Sequence, residues 1–211
     1  MQPFAIIDAN FGNQRSVFNA SIAAGANVKL TKRPLDLRNA PGIILPGVGA
    51  FGAGMELLRS SGVMDTLEEE VLRKGKPFLG ICFGLQALAS KGFEYGEHKG
   101  LGWIDGTVEK IETPPGDQRY PIPHIGWNDV DITKTSAMFR GLEKRATFYF
   151  VHSYVLKPRS EEIVSGVCDY GTKFVASVEY ENLCATQFHP EKSHKAGIKV
   201  LSNWFEWALK C

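Results

Sequence analysis

With 211 residues, 44% of them hydrophobic, and a net charge of +1 from 24 basic and 23 acidic side chains, the chain reads as one globular domain spanning residues 1–211. Its charges are interspersed, so neither a nucleic-acid groove nor a disordered acidic arm is expected. No apolar run approaches the roughly 20 residues that a membrane helix needs. Met1-Gln2-Pro3-Phe4 places no basic segment before a long apolar one, so no secretory signal is expected. The cysteines at 82, 168, 184 and 211 show no Cys-x-x-Cys spacing and are expected to be free thiols of a cytoplasmic protein.

The first half alternates buried-strand runs with helical stretches. Phe4 to Asp8 predicts a strand ending in the turn-like Asn10-Phe11-Gly12-Asn13. A helix is expected over 14–24, with Val17, Ala20, Ile22 and Ala24 at small or apolar positions and Gly25 as its stop. Strands are expected at Asn27–Leu30, at Gly42–Leu45 before the loop Pro46-Gly47-Val48-Gly49, and at Pro77–Cys82; helices at Met64–Lys74 and Phe83–Ser90. The triplet Glu68-Glu69-Glu70 reads as a solvated helix face. From Gly100 to Gln187 the runs are mostly strand-like, including Thr147–Val151, Ile163–Val167, Phe174–Glu179 and Leu183–Phe188. A last helix from about His194 to Leu209 offers Ile198, Leu201, Phe205 and Leu209 as its packed face. The expected fold is α/β: a mostly parallel central sheet flanked by helices, with an antiparallel β extension.

Chemistry concentrates at Gly80-Ile81-Cys82-Phe83-Gly84-Leu85-Gln86, where a strand runs into Cys82 and a helix leaves it. That is the context of a nucleophile elbow, with cysteine at the centre of G-x-C-x-G. A sharp turn leaves no room beside the nucleophile, hence the glycines. A helix N-terminus favours thiolate over thiol, and the N–H of Phe83 is placed to meet a developing oxyanion.

A second signal follows a strand late in the chain: Gln187-Phe188-His189-Pro190-Glu191. A thiolate nucleophile needs a base that later protonates the leaving group, and histidine does both near neutral pH. Glu191 is placed to orient His189, and Pro190 stiffens the link between them.

These two motifs resemble class I, triad-type, glutamine amidotransferases. Leu45-Pro46-Gly47-Val48-Gly49-Ala50-Phe51, Pro123-His124-Ile125-Gly126-Trp127-Asn128 and Tyr149-Phe150-Val151-His152-Ser153-Tyr154 are similar, more narrowly, to the glutaminase subunit of imidazole glycerol phosphate synthase. The resemblance covers nearly the whole chain. It implies a flavodoxin-like fold and hydrolysis of glutamine to glutamate and ammonia through a thioester on Cys82, with His189 as acid and base and Glu191 orienting it. It implies an oxyanion strand at Val48 and Gly49 acting with Phe83, and glutamine held by Gln86, Glu94, Ser153 and Tyr154. It further implies a barrel-type cyclase partner in a heterodimer, docked near Phe11, Asn13, Trp127 and Asn128. The ammonia would close an imidazole ring in histidine biosynthesis.

Two stretches depart from that subunit. Its first turn reads Gly-x-Gly-Asn, against Asn10-Phe11-Gly12-Asn13 here. Residues 93–102 resemble a branch serving surface polysaccharides, in which the ammonia goes to amidination of a sugar. A stand-alone γ-glutamyl cysteine hydrolase would use the same three residues without a partner. His98, His124, His152 and His194 show no metal-ligand spacing, so neither metal nor cofactor is expected.

Overall fold

The computed structural model describes residues 2–8 and 12–211. Asn10 and Phe11 lie outside the described residues. In chain order the elements begin β1 (Phe4–Ile7), α1 (Gln14–Ala23), β2 (Val28–Thr31), α2 (Pro34–Asn39), β3 (Ile43–Gly47) and α3 (Phe51–Ser60). Next come α4 (Met64–Leu67), β4 (Phe78–Cys82), α5 (Phe83–Ala87), β5 (Ala89–Gly92), β6 (His98–Lys99), β7 (Ile104–Lys110) and β8 (His124–Ile132). The last are β9 (Arg145–His152), β10 (Tyr154–Pro158), β11 (Val164–Asp169), β12 (Lys173–Tyr180), β13 (Leu183–Thr186) and α6 (His194–Ala208).

Nine strands form one sheet in the order β2-β1-β3-β4-β13-β12-β11-β8-β9. From β2 to β13 neighbours run parallel; from β13 to β9 they alternate in direction. This is the expected mixed architecture. Side chains alternate across each parallel strand, and both sets are apolar because both faces are covered. Ala5, Ile7, Ile43 and Leu45 pack with residues of α2, α3, α4 and α5. Phe4, Ile6, Ile44, Leu79 and Ile81 pack with residues of α1 and α6 on the other side. A second sheet, β10-β7-β5-β6, covers the first face through Ile104, Val108 and Leu156.

Several local expectations are corrected. The helix expected over Phe83–Ser90 stops at Ala87, because Ala89 enters the second sheet opposite Ile104. Helix α3 escaped notice because Gly52 and Gly54 dilute its pattern. Both glycines leave room for a ring: a Cβ on Gly54 would lie 2.4 Å from the buried Phe83 ring, and one on Gly52 2.6 Å from the His98 ring. The helix at Met64–Lys74 does form, but from Glu68 to Arg73 it widens into a π-helix. Glu70 is not solvated: it is 3% exposed and ion-paired to Lys74 at 2.7 Å and Lys76 at 2.8 Å. On α1, Ser21 is buried and Ile22 is 51% exposed, because the serine hydroxyl donates to the Val17 carbonyl and so tolerates the core. On α6 the packed face is Gly197, Val200, Leu201, Trp204, Phe205 and Ala208, a stripe turned away from Leu209, which is exposed. No helix of the described residues is long and apolar enough to cross a membrane.

Candidate active site

Cys82 ends β4 with φ 53°, ψ −100°, a left-handed backbone that a non-glycine residue adopts only under constraint. The constraint is close packing. A Cβ on Gly84 would sit 2.0 Å from the Leu45 carbonyl oxygen, and one on Gly80 2.5 Å from that of Gly84. Helix α5 is thereby pressed against β3 and β4, and the thiol is held on a sharp bend. Gly84→Ala should break this contact at a cost of about 1–3 kcal/mol. The melting temperature should then fall by several degrees, with glutamine hydrolysis lost in parallel. An unchanged melting curve would show that the elbow yields.

β13 lies beside β4, with Thr186 opposite Ile81, and delivers the second group. His189 is held at both ends of its peptide: its N–H donates to the Tyr149 carbonyl at 2.9 Å, and its carbonyl accepts from the Ser193 hydroxyl at 2.6 Å. His189 Nδ1 meets Glu191 Oε1 at 2.7 Å, with the two side chains 2% and 3% exposed. Burial works against a charge on His189, yet the Cys82 sulfur and the Glu191 carboxylate outweigh it and raise its pKa to about 10. Among the described residues Nε2 of His189 closes no hydrogen bond of full geometry, and the Cys82 sulfur acts on it both by charge and by a looser hydrogen bond. Cys82, His189 and Glu191 are thus brought together, with the imidazole between thiol and carboxylate.

Both expected oxyanion segments flank the sulfur. Gly47 pairs with Cys82 in the sheet, which brings Val48 and Gly49 alongside it, and Phe83 follows it directly. Gly49 has φ +125°, open to glycine alone. Gly12 backs this loop: a Cβ there would lie 2.9 Å from the Val48 nitrogen.

The expected glutamine-holding residues converge on the same region. Gln86 is buried, and its amide donates to the Tyr154 carbonyl at 2.9 Å and to Gln187 Oε1 at 3.3 Å. His152 Nδ1 lies 3.1 Å from that same carbonyl, and its Nε2 lies 3.1 Å from His124 Nδ1. Burial lowers the pKa of His124 to about 4 and of His152 to about 3, so both are neutral, and the backbone carbonyl fixes the proton on His152 Nδ1. The Ser153 carbonyl is taken up by the Ile111 N–H at 2.8 Å. Glu94 caps α3 by accepting the Phe51 N–H at 2.7 Å, just beyond the Val48–Gly49 loop.

The comparisons with known proteins decide the family. The chain matches the glutamine amidotransferase class-I family over residues 5–207. It belongs to that family. As a glutamine amidotransferase it is an enzyme with glutaminase activity. It is 44% identical over 200 residues to imidazole glycerol phosphate synthase subunit HisH 1 of Campylobacter jejuni (strain RM1221), covering 95% of this chain and 98% of that one. It is 44% identical over 206 residues to imidazole glycerol phosphate synthase subunit HisH of Moorella thermoacetica, covering 98% and 95%. Among solved structures, PurLQS from Thermotoga maritima shares the fold, with a TM-score of 0.72 at 19% identity, covering 98% and 99%.

For this amidotransferase, the residues expected at the docking surface are not all alike. Trp127 is 47% exposed and stacks on His194 at 4.9 Å between ring centroids. Asn128, the next residue on β8, is tied down instead: its amide donates to the Asp169 carbonyl and its oxygen accepts from the Asp129 N–H. Asn13 is exposed and caps α1 by accepting the Ser16 N–H at 3.2 Å. Sequence reasoning assigned no role to Gln187, which stands inside the quoted motif, or to Ser193, two residues beyond it. Gln187 is fully buried, and its amide lies 3.6 Å from Cys82 Sγ. Its spacing of two from His189 on the chain leaving β13 was a legible sign that both face one way. Crevices of about 650 Å³ and about 700 Å³ open along residues 133–175 and 132–144 and share no residue with this site.

Proposed function

We propose that Cys82, His189 and Glu191 hydrolyse L-glutamine to glutamate and ammonia, and that the ammonia passes to a synthase subunit making imidazole glycerol phosphate in histidine biosynthesis. The observation that carries this reading is His189, held between the Cys82 sulfur and the Glu191 carboxylate. The Cys82 thiolate attacks the carboxamide carbon of glutamine, and N–H groups of Val48, Gly49 and Phe83 take up the charge on oxygen. His189 gives its proton to the departing nitrogen, so the C–N bond breaks as ammonia and a γ-glutamyl thioester remains. His189 then takes a proton from water, the resulting hydroxide attacks the thioester, and glutamate leaves as the thiolate re-forms. Gln86, Glu94, Ser153 and Tyr154 hold the glutamine. All four cysteines are unpaired, which suits a cytoplasmic enzyme.

Relatives named as synthase subunits support a docked assembly. We place the partner, a barrel-type cyclase, against the exposed Trp127 with Asn13 and Asn128 at its margins. Free ammonia protonates at neutral pH and diffuses away, so a glutaminase without a docked acceptor wastes its product. The Val48–Gly49 loop is suited to gating: Gly49 sits at φ +125°, and Val48 is 36% exposed beside Cys82. One missing oxyanion donor costs roughly a hundred- to a thousand-fold in rate. The isolated chain should therefore hydrolyse glutamine slowly, faster with the partner, and fastest with partner and acceptor together. Equal rates in all three conditions favour a stand-alone hydrolase. Running the third condition with the ribulosyl acceptor and then with a sugar acceptor decides which pathway is served.

A further inference from the structure

We propose that Gln187 is a further catalytic residue, a neutral hydrogen-bond donor that holds the Cys82 sulfur as thiolate alongside His189. The inference rests on Cys82 being the nucleophile.

The direction of the Gln187 amide follows from a chain of hydrogen bonds that starts at a backbone carbonyl. The Tyr154 carbonyl can only accept, so the end of Gln86 that meets it at 2.9 Å is its NH₂. The same NH₂ reaches Gln187 at 3.3 Å and needs an acceptor there, so the oxygen of Gln187 faces Gln86. Its own NH₂ is then left facing Cys82 Sγ, at 3.6 Å. Reversing the Gln187 amide would set two NH₂ groups against each other and turn an oxygen toward the sulfur. His152, whose proton also goes to the Tyr154 carbonyl, holds the start of the chain.

Gln187, Gln86 and Cys82 are all buried, so water does not compete for these bonds. A thiolate is a far better acceptor than a thiol, so the contact favours the charged sulfur. Gln187 also differs from His189 in kind. It does not titrate, and it goes on donating while His189 gives up and regains its proton. That matters most when the thioester breaks and the sulfur departs with a negative charge.

The test uses Gln187→Met, close in volume but without a donor, and Gln187→Glu, which still accepts from Gln86 but offers no N–H. In the intact chain, the pH dependence of Cys82 alkylation by iodoacetamide should move up by about one to two units in Gln187→Met, the range for a hydrogen bond to a charged group. It should move further in Gln187→Glu, where a carboxylate faces the sulfur. The kcat for glutamine should fall roughly 10- to 100-fold with KM little changed. For a variant that fails to fold, the wild-type protein carries the test: the Gln187 side-chain NH₂ resonance should titrate together with Cys82 alkylation. Alkylation midpoints unmoved in both variants, or a resonance that does not titrate, overturn the inference. A wild-type Cys82 no more reactive than the exposed Cys211 would instead sink the nucleophile assignment itself, which is a different result.

Discussion

Replacing Cys82 by Ala or Ser should lower glutamine hydrolysis on the order of 10⁴-fold or more while the fold persists. Loss of a triad nucleophile has effects of at least this size, because the remaining members cannot act without it. The small substitutes fit the site, since Cys82 is held by the packing of Gly80 and Gly84 rather than by its own bulk. Serine keeps a hydroxyl, but a hydroxyl is far less acidic than a thiol and offers no comparable anion to attack with. With the partner present, added ammonium should still support synthesis, because only the source of ammonia is lost. Substantial glutamine-dependent activity in Cys82→Ala would refute the assignment.

His189→Ala should cost as much as loss of Cys82, and Glu191→Gln roughly ten- to a hundred-fold less. An amide at 191 still offers an oxygen to Nδ1, so ring orientation survives while the charge that favours imidazolium is gone. His189→Ala carries a stability signature too. Its pKa in the fold, about 10, lies above the ordinary 6.5, so between those values the folded chain holds a proton that the unfolded chain releases. The stabilisation is complete below about pH 6.5 and is lost as pH rises to about 10. The gap in melting temperature between the wild-type chain and His189→Ala should narrow across that window. A gap independent of pH would show that the fold holds no extra proton through His189. Selective labelling of Cys82 by a glutamine-derived electrophile should fail in the same variant.

The parts of the molecule that were legible in the sequence are those set by local rules. The parallel strands announce themselves as continuous apolar runs because both faces are covered, and Gly80 and Gly84 mark the elbow because nothing larger fits beneath it. His189 and Glu191 are legible as a pair because one turn of chain brings them into contact. What escaped was set by distant partners. The end of α5 is dictated by Ile104, across the second sheet, and the burial of Glu70 by Lys76, beyond the helix it belongs to. Gln187 was visible as a residue but not as a donor. Its direction depends on Gln86 and, through it, on the carbonyl of Tyr154, and no sequence pattern encodes that order. Asn128 looked like a companion of Trp127, yet its hydrogen bond to Asp169 depends on how β11 ends.

The position of β13 bears on how the enzyme comes into being. This strand is the middle one of nine, yet it is the last strand of the chain. While the polypeptide is being made from its N-terminus, β4 is finished long before β13 exists, and its outer edge waits unpaired. Insertion of β13 closes a long loop, a slow event in folding. It also brings Gln187, His189 and Glu191 to the sulfur for the first time. Until then Cys82 stands without those neighbours on an incomplete sheet, so a truncated or half-folded chain lacks the assembled site, and that site arrives together with the finished fold.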